Sequence, residues 1–200
     1  MLADISFKKN NFTVFGNLNY YSSDGYDLVE DDGQKTVEAF NNYTGAIGIS
    51  YDMNTLGNLN VNYKSFTEER DGTIFITSPG VENKSETNEN NISLKYRKDL
   101  SKSVSLNIDF YKTGYINKEE QIDQNNNLRN NNFDQTLNRL DIRFKHSTST
   151  GSYYTIGFGY DKELLERTNI SVKPKHNSQF LYFQYDWNTN DRFNLVSGIR

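Results

Sequence analysis

Apolar and polar residues alternate along most of this chain with a period of two, the pattern of a β-strand with two different faces. Ten segments follow it, and helical periodicity is hard to find anywhere. The clearest segment has apolar Leu140, Ile142 and Phe144 on one face and Arg139, Asp141, Arg143 and Lys145 on the other. The ten segments lie within residues 3–8, 12–20, 43–51, 58–64, 92–97, 104–110, 139–145, 154–160, 181–187 and 193–199. The sequence therefore predicts an all-β protein whose strands separate two unlike environments.

The connections between these segments alternate between short and long. The short ones are residues 8–11, 52–58, 98–103, 146–152 and 188–192, and the long ones are 22–41, 66–89, 113–136 and 162–177. A soluble sandwich has no reason to alternate, whereas transmembrane β-barrels join their strands by short periplasmic turns and longer extracellular loops. Tyr and Trp also recur at segment ends, as in interfacial girdles. We therefore predict an antiparallel up-and-down transmembrane β-barrel segment of about ten strands.

Composition narrows the class of protein further. Mean hydropathy is -0.82 and 34% of residues are hydrophobic, yet 14% are aromatic, which indicates an ordered, polar, β-rich chain rather than a disordered one. The net charge of -4 gives no indication of nucleic-acid binding. The chain has no Cys, which excludes disulfides and thiol nucleophiles. No spacing argues for a catalytic triad or a carboxylate pair, and we predict neither metal nor cofactor.

Strand direction predicts that the chain is a piece of a larger barrel. With the short turns on the periplasmic side, the first strand starts at the extracellular end, whereas bacterial barrels normally keep both termini periplasmic. Ten strands left open would also expose two unpaired edges in hydrocarbon, where unsatisfied backbone groups are costly. We expect residues 1–200 to form a partial barrel domain that is incomplete at both ends.

Three consecutive pieces near the end of the chain have a specific order and spacing. Residues 153–163 end in a Gly, aromatic, acidic pattern; residues 180–187 form an aromatic-rich strand ending in Gln, an acidic residue and Trp; residues 191–200 end in Gly-Ile-Arg. Together they resemble TonB-dependent receptors of the outer membrane. Ser197 departs from the Leu or Val usual in the family. The family's TonB box, plug domain and closing strand are absent from these 200 residues. The resemblance implies a place in the first half of a 22-stranded barrel.

The resemblance also implies a function and partners. Such a protein is not an enzyme but an outer-membrane receptor, which actively imports a scarce ligand such as a ferric siderophore, haem or cobalamin. The implied partners are outer-membrane lipid, the TonB system through a plug domain outside this chain, and a small-molecule ligand such as a metal chelate. A passive porin or channel remains an alternative, as do a secreted carbohydrate-binding β-sandwich and an outer-membrane enzyme whose catalytic groups are not visible here.

Eight residues are candidates for these roles. Loops carry selectivity in proteins built on a rigid scaffold, and the long connections offer Tyr26, Arg70, Tyr115 and Arg129 as ligand-binding residues. The charged row is expected to face the lumen, where it would contact the plug or simply be solvated; it comprises Arg139, Asp141, Arg143 and Lys145.

Overall fold

The computed structural model describes residues 1–26, 37–74, 81–123, 125–168, 171, 173–190 and 193–199, and these residues build one antiparallel sheet. Its strands are β1 (Leu2–Lys9), β2 (Phe12–Ser23), β3 (Ala39–Asp52), β4 (Asn58–Ile74), β5 (Val81–Asp99), β6 (Val104–Ile122), β7 (Leu128–Ser147), β8 (Tyr153–Arg167), β9 (Lys175–Asn190) and β10 (Phe193–Ile199). A short 3-10 turn, Asn54–Leu56, precedes β4. Among the described residues no helix is long and apolar enough to cross a membrane.

The strands lie side by side in chain order from β1 to β10, and each pairs antiparallel with the next. This arrangement is an up-and-down meander, so the predicted fold class is confirmed. β1 and β10 form the two edges of the sheet, which is open rather than closed on itself. Parts of the long connections and the resembling residues Asp191, Arg192 and Arg200 lie outside the described part of the chain.

The register divides the sheet into two faces, because directly paired residues point to the same side. One row of partners is Val61, Leu94, Phe110, Leu140 and Tyr160, and we call this side the outer face. The neighbouring row on the other side, the inner face, is Asn60, Lys95, Asp109, Asp141, Gly159 and Phe180. The alternation in the sequence therefore continues across strands as two chemically different surfaces.

The sheet encloses no apolar core of its own. None of the apolar side chains that the structure describes is fully buried, and Ile5, Leu181 and Ile199 are 73%, 72% and 75% exposed. A contiguous apolar surface of this extent marks a membrane or protein contact, since soluble proteins rarely leave one open. The outer face is thus built for an apolar surrounding.

The middle strands are much longer than the apolar alternation indicates. β4, β5, β6 and β7 contain 17, 19, 19 and 20 residues, whereas crossing a bilayer takes about 9–11. The prediction that residues 66–89 and 113–136 are long loops was wrong for most of their length: residues 66–74, 81–89, 113–122 and 128–136 are strand. We call residues 65–74, 81–91, 112–122 and 128–139 the extension.

The extension escaped prediction because both of its faces are polar. Hydrogen bonds continue from strand to strand, and side chains pair across them: Thr67 donates to Asn88 on the outer face at 2.9 Å, and Asn117 donates to Thr87 on the inner face at 3.0 Å. The Tyr63 hydroxyl, which donates to Asn90 at 2.7 Å, marks the border of the apolar outer face. Loss of apolar alternation therefore marks the edge of the membrane zone and not the end of the strands.

Candidate functional site on the inner face

The predicted charged row lies on one face of β7. Arg139, Asp141, Arg143 and Lys145 belong to the inner face, and Leu140, Ile142 and Phe144 between them belong to the outer face. The structure therefore brings these four residues together on the polar face of the sheet, and their contact with a plug stays a prediction.

Ion pairs join this row to its neighbouring strands. Asp109 and Asp141 are direct partners in the register, an arrangement of like charges that is unfavourable by itself. Arg143 lies between them and makes an ion pair with Asp109 and a second one with Asp141 at 2.9 Å. Arg139 pairs with Asp161 on β8, Nε to Oδ1 at 2.7 Å. The Arg139–Asp161 contact is also a charge-assisted pair of hydrogen bonds, which orients the Arg139 guanidinium group.

Two aromatic rings of β9 lie flat against glycines of β8. Tyr182 is the direct partner of Gly157, and Phe180 is the direct partner of Gly159. A Cβ atom added to Gly157 would come within 2.1 Å of the Tyr182 ring, and one added to Gly159 within 2.0 Å of the Phe180 ring. The Tyr182 hydroxyl reaches across β8 and donates to Asp141 Oδ1 at 3.1 Å. The glycines thus let large rings lie along the wall rather than project from it.

Two open cavities line this part of the inner face. One, of about 500 Å³, lies between basic and polar groups that include Arg97, Arg143, Lys145 and Tyr153. There the Lys145 ammonium sits 3.3 Å from the centre of the Tyr153 ring, a cation–π contact. The other, of about 440 Å³, is bordered by Arg139, Asp141, Phe180 and Tyr182. Both cavities open onto the space that the inner face would enclose in a complete barrel.

Three of the four predicted ligand-binding residues lie on strands of the extension rather than in loops. Arg70 on β4, Tyr115 on β6 and Arg129 on β7 all belong to the inner face. Tyr26 follows the end of β2, forms an isolated bridge with Val37 and is 53% exposed. The structure gives three of them a common surface, and their ligand role stays a prediction.

Each of these three residues has neighbours that limit its chemistry. The hydrogen bond from Arg70 Nε to Glu68 Oε1, at 2.6 Å, raises the pKa of Arg70. The Tyr115 ring packs edge-on against Phe133, with centroids 5.7 Å apart. Hydrogen bonds from the Asn127 side chain and backbone lower the pKa of the Asp123 carboxyl, and the positive charge of Arg129 adds to that effect. Arg70 is therefore already paired with Glu68 and Tyr115 already packed against Phe133, whereas Arg129 acts on Asp123 through its charge.

A group of polar side chains near the far end of the extension was missed by sequence reasoning. Asn83 on β5, Glu119 and Gln121 on β6, and Asn131 on β7 occupy adjacent inner-face positions. We call these four residues the amide cluster. The only signal in the sequence is a polar stretch, which is typical of a loop as well as of a strand that is polar on both faces. Among the described residues, no group of three or more His, Asp or Glu side chains is placed to hold a metal ion.

Comparison with known proteins agrees with this architecture. No protein-family model matches the chain, and no curated protein matches it in sequence. Among solved structures, the ferric citrate transporter FecA in its unliganded form matches 98% of the chain with a TM-score of 0.73 at 10% identity. BauA, the ferric preacinetobactin receptor from Acinetobacter baumannii, matches 98% with a TM-score of 0.68 at 9% identity. The toluene transporter TodX of P. putida gives a TM-score of 0.46 at 7% identity over 98% of the chain and 65% of its own.

The chain spans 34% of the length of FecA and 38% of that of BauA. Both identities are so low that the likeness concerns the fold alone. The meander of ten antiparallel strands therefore has the fold of an outer-membrane β-barrel wall, and 98% of the chain is similar to part of those two proteins.

Proposed function

We propose that this chain forms part of the barrel wall of an outer-membrane receptor that imports a scarce ligand with energy delivered through TonB. The observation that carries the proposal is the match of the whole ten-stranded sheet to FecA and BauA, named as a ferric citrate transporter and a ferric preacinetobactin receptor. The ligand classes that the sequence resemblance implies are ferric siderophores, haem and cobalamin. The protein is on this proposal a transporter and not an enzyme.

The two faces of such a wall contact different surroundings. The outer face, with side chains such as Ile47, Leu94 and Leu181, contacts the lipid of the outer membrane. The inner face lines the lumen, and a plug domain outside residues 1–200 fills that lumen in the proposed whole protein. The partial barrel domain thus separates lipid from a polar interior.

The charged row on β7 is proposed to contact the plug. Arg139 and Arg143 are already held by carboxylates of β8, β6 and β7, so their positions are set before a plug side chain arrives. Groups fixed in advance lose less conformational freedom on contact than mobile ones. Lys145, stacked on Tyr153 beside the larger cavity, presents the remaining positive charge of the row. An acidic plug segment would complement this end of the wall.

Uptake measurements test the transport proposal. Cells that produce the full-length protein should accumulate a ligand only while the inner membrane is energised, because the TonB system draws on that energy. Accumulation should fall to the level of cells lacking the protein after addition of a protonophore or deletion of tonB. Uptake that persists unchanged under both treatments would identify a passive channel instead, since such a barrel shares the same wall.

A further inference from the structure

The amide cluster lies at the loop end of the inner face, and hydrogen bonds join three of its four side chains. In the register, Asn83 faces Gln121, and Asn131 faces Glu119, so three adjacent strands contribute. Glu119 lies at the centre: its Oε1 accepts a hydrogen bond from Gln121 Nε2 at 3.1 Å, and its Oε2 accepts one from Asn131 Nδ2 at 3.0 Å. The carboxylate therefore fixes the orientation of both amides.

This orientation leaves acceptors without donors. A carboxylate can only accept, so the amide nitrogen of Asn131 must face Glu119 and its carbonyl oxygen must face away. Asn131 Oδ1 is buried and has no hydrogen-bond partner. Asn83 is only 7% exposed, and its Oδ1 is likewise buried without a partner. Buried acceptors without partners are uncommon, and each one calls for an explanation.

The nature of the free groups limits which ligand would fit. Carbonyl oxygens repel anions. Of the arginines on the same surface, Arg70 is already bound to Glu68 at 2.6 Å, and Arg129, the partner of Gln121, lies near the Asp123 carboxylate, whose pKa its charge helps to lower. A ligand that satisfies Asn83 and Asn131 must instead bring donors such as hydroxyl groups. A calcium ion would need more negative charge; the amide cluster has one carboxylate, and both of its oxygens already accept hydrogen bonds.

Aromatic surface lies beside the amide cluster on the same two strands. Tyr115 and Phe133 pack edge-on, and Asn117, directly opposite Phe133, donates to Thr87 at 3.0 Å. Planar polar groups next to an aromatic ring suit a sugar, whose hydroxyls satisfy amides and whose C–H face packs on the ring. We propose that this surface binds a neutral, hydroxyl-rich ligand, namely an oligosaccharide, and not an anionic iron chelate. The proposal rests on the proposed uptake function and specifies its cargo.

Binding measurements on the purified full-length protein test the ligand class. The probes are an array of neutral oligosaccharides of glucose, xylose and mannose, then ferric citrate and calcium chloride by titration calorimetry. We expect saturable binding to at least one neutral oligosaccharide. Asn131→Ala should weaken it about tenfold, because one hydrogen bond is lost in the complex. The matched control is Asn132→Ala, which removes the neighbouring exposed amide on the opposite face and should leave affinity within about twofold.

A second variant separates binding from structure. Asn83→Leu replaces an amide whose oxygen lacks a partner by an apolar group of similar size, so the free protein should be equally or more resistant to unfolding. The same variant should weaken oligosaccharide binding about fivefold or more. A purely structural role would instead lower the unfolding midpoint.

Three results would overturn the ligand class: no binding to any neutral oligosaccharide, ferric citrate binding that Asn131→Ala weakens, or calcium binding that Asn131→Ala abolishes. Failure here is distinguishable from failure of the uptake function. A receptor that takes up ferric citrate only in energised cells would refute the oligosaccharide and keep the transport proposal. Oligosaccharide binding together with uptake that the protonophore does not reduce would keep the oligosaccharide and refute energised transport.

Discussion

At the scale of single residues, the shape of the inner face depends on contacts between large aromatic rings and glycines. Tyr182 lies flat on Gly157 and reaches Asp141, which is held in turn by Arg143. Tyrosine is common in strands, whereas a glycine inside a strand often marks the close approach of another group. Their pairing across β8 and β9 allows a bulky side chain to join a polar network without filling the lumen.

This arrangement predicts the effect of adding one methyl group. Gly157→Ala would place a Cβ about where the Tyr182 ring lies, so the ring must swing into the lumen and give up its hydrogen bond to Asp141. We expect destabilisation of about 1–3 kcal/mol, typical of overpacking at a tight site. Gly114→Ala is the control, because a Cβ there meets nothing within 4 Å. Urea unfolding in lipid vesicles measures both; equal stability of the two variants would contradict the close packing.

At the scale of strands, each of β4 to β7 has two different surroundings on its opposite faces and two along its length. The part of the sheet near the short turns, which we call the apolar band, has an apolar outer face and a polar inner face. The extension is polar on both faces. Hydrogen bonds from β4 to β7 run through both zones without interruption. The effect of a substitution on stability is therefore expected to depend on the face where it lies and on its distance from the short turns.

Arginine substitutions on neighbouring positions of β5 test the assignment of faces. Leu94 lies in the outer row with Val61 and Phe110, so Leu94→Arg would place a charge in hydrocarbon. We expect destabilisation of about 2–4 kcal/mol in lipid vesicles, the cost near the middle of a bilayer. Ser93→Arg, one residue away on the inner face, should cost about 1 kcal/mol or less, because its side chain stays in water. A larger loss of stability from Ser93→Arg than from Leu94→Arg would show that the inner and outer faces are assigned the wrong way round.

At the scale of the whole molecule, the sheet is a single layer whose outer face has no apolar partner among the described residues. The apolar band sets its height in a bilayer. In the proposed outer-membrane setting, the extension is expected to lie outside the cell, and the turns that precede β2, β4, β6 and β8 are expected to lie in the periplasm. The same orientation puts the amide cluster at the extracellular end, where a ligand first arrives.

Single cysteines in the full-length protein, stripped of any other cysteine, test this orientation. A membrane-impermeant maleimide added to intact cells should label Glu86→Cys, which is on the outer face of the extension with a side chain 45% exposed. It should not label Ile92→Cys, which lies in the apolar band. Thr150→Cys, in the turn before β8, should react only after the outer membrane is permeabilised. Labelling of Thr150→Cys in intact cells would show that the barrel has the opposite orientation in the membrane.

Register explains why the candidate site could be predicted only in part. The row Arg139, Asp141, Arg143 and Lys145 was visible because its members belong to one strand and alternate with apolar residues. Their partners Asp109, Asp161 and Tyr182 were not visible, since they come from other strands through pairing that is nonlocal in sequence. The amide cluster was missed for the same reason, and because the part of β5, β6 and β7 that carries it has no apolar face.

The sequence by itself determined the all-β class, the number and order of the strands and the apolar face of each, because period-two alternation is a local consequence of one face meeting hydrocarbon. It did not determine where the strands end. Beyond the membrane both faces meet water, so alternation vanishes while backbone pairing persists, and only the tertiary structure showed residues 66–74, 81–89, 113–122 and 128–136 as sheet. That long-range pairing also decided which polar side chains meet, and with them the surface proposed to bind the ligand.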